Sequence, residues 1–377
     1  MALPKICGGF LNVTQRCNLA CKYCFVVQQP KEMTYKVAKD CADFYARNAL
    51  EEKTVPNITF FGGEPMLRYD DIVKPLIEYV RSTYGDYHLD ITTNGTLLDE
   101  EKLKFFKEND VGILLSIDGD RKTQDLLRVK HDGSGSFDDI DVKTYLKYYP
   151  HGTFRATLDP RNVKYMYENY LWAKDIGYKS CTMIINVFEK WTDEKYKVLA
   201  DNLDKIIDYM ANEKDAIEFT EVTKYNHEYN LIMNGKAAEN RQVLCHCEGC
   251  GTCGLGVGRF ASCGSSGNLY SCQEMTENAE CKDFIIGNIY DGTDDEKRFE
   301  IARRFHLDMV KSSKTGRCEK CSLKTVCKGG CTINNYFNNG NLNIVSEPHC
   351  VYQEMCFERY KRLLEIKRLK DERKVSL

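Results

Sequence analysis

Apolar positions along the first two thirds of the chain follow two alternating rhythms. Short, β-branched runs occur at Phe10–Val13, Ile58–Phe61, Leu89–Thr92, Ile113–Ile117, Thr153–Leu158 and Thr182–Val187. Between them, apolar residues recur every three or four positions at Tyr35–Leu50, Tyr69–Tyr84, Asp99–Asn109, Phe137–Tyr149, Val163–Asp175 and Asp193–Ala211. The first rhythm predicts strands and the second amphipathic helices. Six strand-then-helix repeats imply an α/β fold with a parallel sheet and right-handed crossovers. Six strands are too few for a closed eight-stranded barrel. The pattern therefore predicts a partial, open (β/α)6 TIM barrel over roughly residues 5–220. Its opening would accept something as large as a peptide.

Several strands run into loops of small or polar residues, GGEP, TTNG and SIDG. In parallel α/β folds the ligand sits at the carboxyl ends of the strands. One such loop would read as a plain turn; three in consecutive repeats point to a site. From Cys245 the periodicity fades into CHCEGCGTCGLGVGRFASCGSSGNLYSC, rich in Gly, Ser and Cys. This segment is expected to need metal to hold its fold, having too little apolar material for a core of its own. Apolar spacing returns at Val351–Lys370, a packing helix. The reading divides the chain into a barrel (1–225), a bridging and cysteine-dense region (226–355) and a C-terminal helix and tail (356–377).

Composition adds one question. The 377 residues carry a formal charge of −3 but include 19 cysteines. Near-neutral charge argues against a nucleic-acid binder. No run of about eighteen apolar residues predicts a membrane span. The N-terminus MALPKICGGF lacks the pattern of a secretory signal. A cytoplasmic, reducing location follows as the expectation, and reduced cysteines in this number call for metal ligation.

The cysteines cluster. Cys17, Cys21 and Cys24 form CNLACKYC just after the first predicted strand. Three thiolates on one loop suit a cubane and leave one iron without a protein ligand. A zinc loop would want a fourth Cys or His nearby. Later, Cys318, Cys321, Cys327 and Cys331 read C-x2-C-x5-C-x3-C, preceded by Gly267 and Cys272 as G-x4-C. Cys247 and Cys253 lie before that pair and Cys350 follows. By spacing alone these later cysteines could also make two structural zinc sites.

CNLACKYCF resembles the CxxxCxxC motif of radical S-adenosylmethionine (SAM) enzymes, with Tyr23 as the aromatic residue before the last cysteine. The likeness extends to Gly62, Gly63, Glu64 and Pro65, similar to the GGEP loop that holds the SAM amino group, and to Asn94 in TNG. Ser116, Asp118 and Arg128 fall in a stretch similar to S-[IL]-D-G…R…G-x-G-S-F, whose Ser and Arg bind polar groups of SAM. Arg155 is a second candidate for the SAM carboxylate, a task suited to a bidentate guanidinium. Gln124 stands where many relatives carry His. The later cysteines resemble the SPASM extension, which carries two auxiliary iron–sulfur clusters. Carried over by position, one cluster would use Cys247, Cys253, Cys272 and Cys331, and the other Cys318, Cys321, Cys327 and Cys350. Cys245 or Cys250 could replace Cys247. The remaining cysteines, Cys7, Cys41, Cys181, Cys245, Cys250, Cys263, Cys281 and Cys356, read as buried small residues, a redox relay or a substrate handle.

The resemblance implies an enzyme with three 4Fe–4S clusters and SAM, fed by an electron donor such as flavodoxin or ferredoxin. Reductive cleavage of SAM would give a 5′-deoxyadenosyl radical that takes a hydrogen atom from the substrate. SPASM enzymes of this layout mostly modify peptides. A Cys-derived thioether cross-link in a ribosomally made precursor peptide is the leading expectation. Sulfatase-type oxidation of Cys or Ser is the alternative, but that branch has Asp directly after the G-x4-C cysteine. Here Gln273 stands there, with Glu274 next as a candidate base. A dehydrogenase acting on a small-molecule alcohol is a further alternative. Only sixteen residues precede Cys17, so leader recognition is expected from the barrel, the C-terminal helix or another protein.

Overall fold

A computed structural model describes residues 3–236, 256–305, 310–312 and 317–375. All six predicted strands form: β1 (Gly8–Thr14), β2 (Asn57–Gly62), β3 (His88–Thr93), β4 (Val111–Leu115), β5 (Thr153–Leu158) and β6 (Ser180–Ile185). In β2 and β5 buried and half-buried residues alternate, so one face meets helices and the other is partly open. The helix Tyr35–Glu52 starts where the Thr34 side chain accepts a hydrogen bond from the Val37 N–H, and it ends at Lys53 in the left-handed region (φ 52°). Asp99 and Thr192 cap the helices Glu100–Glu108 and Asp193–Asn212 in the same way. The segment predicted as one helix over Tyr69–Tyr84 begins as a π turn, Tyr69–Val73, and becomes α-helical only at Lys74–Thr83. That over Phe137–Tyr149 breaks at Ile140, where Asp141 caps the helix Val142–Tyr148.

The chain forms two compact units, and they do not follow linear order. The first comprises Met1–Ser116, Leu127–Tyr149 and Cys247–Leu307. Its eight-stranded sheet has the order β11-β10-β9-β8-β1-β2-β3-β4. Strands β8 (Phe260–Cys263), β9 (Asn268–Tyr270), β10 (Ile285–Asn288) and β11 (Gly292–Thr293) come from the region where periodicity fades. β8 runs parallel to β1, pairing Gly8 with Phe260 through Leu11 with Cys263. β9, β10 and β11 continue as an antiparallel meander. In the described part of the Gly-, Ser- and Cys-rich segment, residues 256–272, Val257, Ala261, Cys263, Leu269 and Tyr270 are buried, within a sheet that β1 shares. Strands of two to four residues between Gly and Ser turns are too short to show a period, yet they pack once the β1 edge templates them.

The second unit comprises Ile117–Leu126, Pro150–His246 and Asp308–Leu377. β5, β6 and β7 (Glu218–Phe219) form its parallel sheet, and β12 (Lys311–Ser312) pairs with β13 (Ile344–Val345). The C-terminal helix spans Glu347–Val375, longer at both ends than the apolar pattern suggested. Arg359 and Arg362 of this helix pair with Asp204, and the Tyr352 hydroxyl donates to the Met183 carbonyl (2.7 Å).

One buried cation ties down the first unit. Arg298 is 1% exposed. It donates to the carbonyls of Gly256 (2.6 Å), Pro4 (2.8 Å) and Gly258 (2.9 Å), and pairs with Asp295 (2.8 Å). Replacing it leaves one buried and two half-buried carbonyls without this donor. Arg298→Leu should lower unfolding free energy by about 3–5 kcal/mol, read from the denaturant midpoint.

Candidate active site

In the first unit the Cys17–Cys24 loop leaves the carboxyl end of β1 and is clamped on two sides. On one, the Gly63 N–H donates to the Thr14 carbonyl and the Glu64 N–H to that of Arg16, both at 2.8 Å. This approach demands glycine. A Cβ on Gly62 (φ +135°) would lie 2.1 Å from the Thr14 oxygen, and one on Gly63 2.1 Å from the Arg16 oxygen. On the other side, the Ala20 and Lys22 N–H groups donate to Val129 (2.7 Å) and Leu127 (2.9 Å), and His131 Nε2 bonds the Cys17 carbonyl (2.9 Å). Arg128 lies over the Tyr23 ring, 5.4 Å from its centroid.

Glu64 joins this clamp to the next strand. Its carboxylate accepts from the Thr93 hydroxyl (2.7 Å), the Asn94 N–H (2.7 Å) and the Met66 N–H (3.0 Å). Burial raises its pKa to about 7, against the opposing pull of those bonds. Glu64 thus holds the loop through its side chain. The Asn94 amide donates to Asn18 (2.9 Å) and approaches Cys17 Sγ at 3.8 Å. The Leu19 N–H reaches the same sulfur at 3.4 Å. Burial pushes the Cys17 thiol up to about 12. A thiolate there wants cationic metal beside it, and a donor set of three cysteines outside any disulfide suits iron–sulfur ligation. Ser116 donates its N–H to the Thr93 carbonyl (2.8 Å) at the end of the neighbouring strand.

Asp118 and Arg155 belong to the second unit. Asp118 is buried and its carboxylate accepts from the Thr157 N–H (3.0 Å). The Asp118 N–H donates to the Gln124 side chain (2.9 Å), which gives this departure from the family pattern a structural task. Arg155 donates to the Ala156 carbonyl (3.2 Å).

Also in the second unit, Cys318, Cys321, Cys327 and Cys350 line one cavity of about 250 Å³, with His349 and Arg317. These are the four cysteines that the SPASM resemblance allots to one auxiliary cluster. Cys331 is not among the residues of that lining. Burial drives Cys350 up to about 12 and His349 down to about 4, so the imidazole beside the thiols is neutral. Four sulfurs around a space of this size fit a cluster. Among the described residues no three His, Cys, Asp or Glu side chains converge on a single-ion site. Cys245, Cys247, Cys250 and Cys253 lie outside the described residues. Cys272 stands in the first unit and Cys331 in the second. The surplus cysteines Cys7, Cys41, Cys181, Cys263, Cys281 and Cys356 are buried as small apolar groups.

Glu274 lines a narrow recess of the first unit with Asn12, Gln15, Phe25, Val26 and Val27. Burial raises its carboxyl to about 7. Sequence reasoning missed Asn12, Gln15, Thr93, His131 and His349. Of these, Asn12 and Gln15 carried the one available signal, polar residues at the ligand end of an otherwise apolar strand.

The Radical SAM superfamily matches residues 11–203. Over 334 residues, the chain is 26% identical to a cysteine-type anaerobic sulfatase-maturating enzyme of Clostridium perfringens, covering 84% of this chain and 85% of that one. The structure is similar to that of native anSMEcpe with bound AdoMet and Cp18Cys peptide, with TM-score 0.72, 20% identity, and 96% and 98% of the two chains covered. It is also similar to Streptococcus suis SuiB bound to precursor peptide SuiA, with TM-score 0.61, 18% identity, and 92% and 76% covered. These likenesses agree on an α/β fold spanning nearly the whole chain. No helix among the described residues is long and apolar enough to cross a membrane.

Gly63→Ala should push the Arg16 carbonyl aside and disorder the loop it anchors. Iron content should fall by about four per chain while secondary structure by circular dichroism is unchanged. Glu64 gives a pH signature. Its folded pKa lies above the unfolded value, so its stabilising contribution is full below about pH 4.3 and is lost as pH rises towards 7. In the metal-free chain, wild type should lose on the order of 3 kcal/mol relative to Glu64→Gln between pH 4 and 8, measured by urea unfolding at each pH.

Proposed function

Because this chain belongs to the radical SAM superfamily, we propose that it is a SPASM-type peptide maturase that installs a Cys-derived thioether in a ribosomally made precursor. The observation that carries this reading is a clamped CxxxCxxC loop in a chain that also gathers Cys318, Cys321, Cys327 and Cys350 around one cavity. A SAM-cleaving enzyme needs only the first; the second is a place for an auxiliary cluster. When bound, the clusters and SAM supply the means to take a hydrogen atom and to accept an electron.

The chain's own residues take the following parts. Cys17, Cys21 and Cys24 hold the SAM-cleaving cluster. Gly62, Gly63 and Pro65 present the loop that receives the SAM amino group, and Glu64 fixes that loop. Asn94, Ser116, Tyr23 and Arg128 stand around it, with Arg155 and Asp118 assigned to the same ligand. Cys318, Cys321, Cys327 and Cys350 hold one auxiliary cluster. Cys272 and Cys331, with Cys247 and Cys253, hold the other. An electron donor of the flavodoxin or ferredoxin class reduces the enzyme. Peptide substrates are supported by the similar structures, one with a Cp18Cys peptide and one with precursor SuiA.

A second reading rests on the sulfatase-maturating relatives: oxidation of a protein Cys or Ser without a cross-link. Gln273 directly after Cys272 weighs against it, since an amide is no base.

Full reconstitution should yield about twelve irons per chain, and Cys17→Ala/Cys21→Ala/Cys24→Ala about eight, with SAM cleavage abolished. Turnover on a cysteine-bearing precursor should remove two hydrogens and one alkylatable thiol, seen by mass spectrometry. A hydrazine-reactive aldehyde instead would select the oxidase reading.

A further inference from the structure

Asn12, Gln15 and Glu274 line one recess with Phe25, Val26 and Val27, which come just after the Cys17–Cys24 loop. Each of the first three carries a side-chain oxygen that is shielded from solvent and has no hydrogen-bond partner, namely Asn12 Oδ1, Gln15 Oε1 and Glu274 Oε2. Asn12 is 4% exposed and Gln15 3%. Buried acceptors left unmatched cost free energy, so such a set is unusual unless a ligand completes it. The Gln15 orientation is fixed from the other end, because its Nε2 donates to the Thr276 carbonyl (3.1 Å). The one other carboxylate of the recess, Glu277, is already matched by Lys31 (3.0 Å) and by Ser265 (2.7 and 2.8 Å). Glu274 has no ion-pair partner among the described residues. Inside, about 10 Å³ of free space suits one small head group. Of the lining residues, Phe25 and Val27 are 43% and 55% exposed and offer apolar wall.

A primary ammonium on an apolar stem meets all four conditions. It has three N–H donors for three acceptors, a positive charge for the unpaired carboxylate, a small head and methylenes for the wall. We infer that the Asn12–Gln15–Glu274 recess receives a lysine side chain of the peptide substrate and so sets which residue stands next to the SAM-cleaving loop. This rests on the reading of the chain as a peptide modifier, and it makes Asn12, Gln15 and Glu274 determinants of specificity. Phe25 follows Cys24 directly, so a lysine held here would lay the adjoining peptide along the catalytic loop.

The test uses the reconstituted full chain with SAM and no reductant. N-acetyl-lysine amide, N-acetyl-norleucine amide and triglycine amide, whose only ammonium is its amino terminus, are titrated and followed by saturation-transfer NMR. The lysine probe should bind at least about tenfold more tightly than the norleucine probe. Glu274→Gln and, separately, Gln15→Leu should each remove most of that preference while SAM binding stays at the wild-type level. Equal binding of lysine and norleucine probes to the wild type overturns the inference, as does an undiminished preference in both variants. Tighter binding of triglycine amide than of the lysine probe overturns it too, assigning the recess to a chain terminus. The assay needs no turnover. A chain that modifies no peptide yet prefers the lysine probe would sustain the recess and overturn the maturase reading. A chain that modifies lysine-free precursors as fast as lysine-bearing ones would do the reverse.

Discussion

The close approach of the Gly62-Gly63-Glu64 backbone to residues 14–16 governs the site. Two hydrogen bonds at 2.8 Å weld the ends of β1 and β2, with no room for a side chain between them. Everything that follows in the chain from Thr14 to Cys24 inherits its position from that weld. Because Glu64 sits in the same tetrapeptide and reaches β3 through Thr93 and Asn94, the weld spans three strands. A carboxyl buried with three donors is also held in one orientation.

Much of this was legible in the sequence, for definable reasons. The strands at Ile58–Phe61 and Thr153–Leu158 are short runs rich in β-branched and aromatic residues with alternating burial, and such signals are local. The cysteine spacings are local too, but they run Cys318, Cys321, Cys327 and Cys331 together; setting Cys350 beside the first three came from the family resemblance, and those four line one cavity. What was not legible depends on distant partners. β8 is a four-residue strand that exists because β1 offers an edge. The left-handed break at Lys53 and the π turn at Tyr69 follow from packing, not from propensity. Glu64 looks from its motif like a ligand residue, whereas its carboxylate turns inward to Thr93 and Asn94.

The surplus cysteines illustrate the same limit. Composition alone made them suggestive of redox work. In the fold, Cys41 lies on the buried face of the helix Tyr35–Glu52 and Cys263 on β8, both fully enclosed. A thiol in such a place behaves as a small hydrophobe. Abundance of a reactive residue type therefore says less than its placement.

The pairing of β1 with β8 has a consequence for how the molecule is made. Partners such as Leu11 and Cys263 are some 250 positions apart, so this contact closes a very long loop. During synthesis from the N-terminus, β1 emerges early and keeps an unpaired edge until β8 has been translated. The cysteine loop hangs from that strand. Its final geometry is thus one of the later events of folding, and the edge it leaves open meanwhile is a template for wrong partners. Chaperone demand and the timing of cluster insertion would both be set by this one late strand pairing.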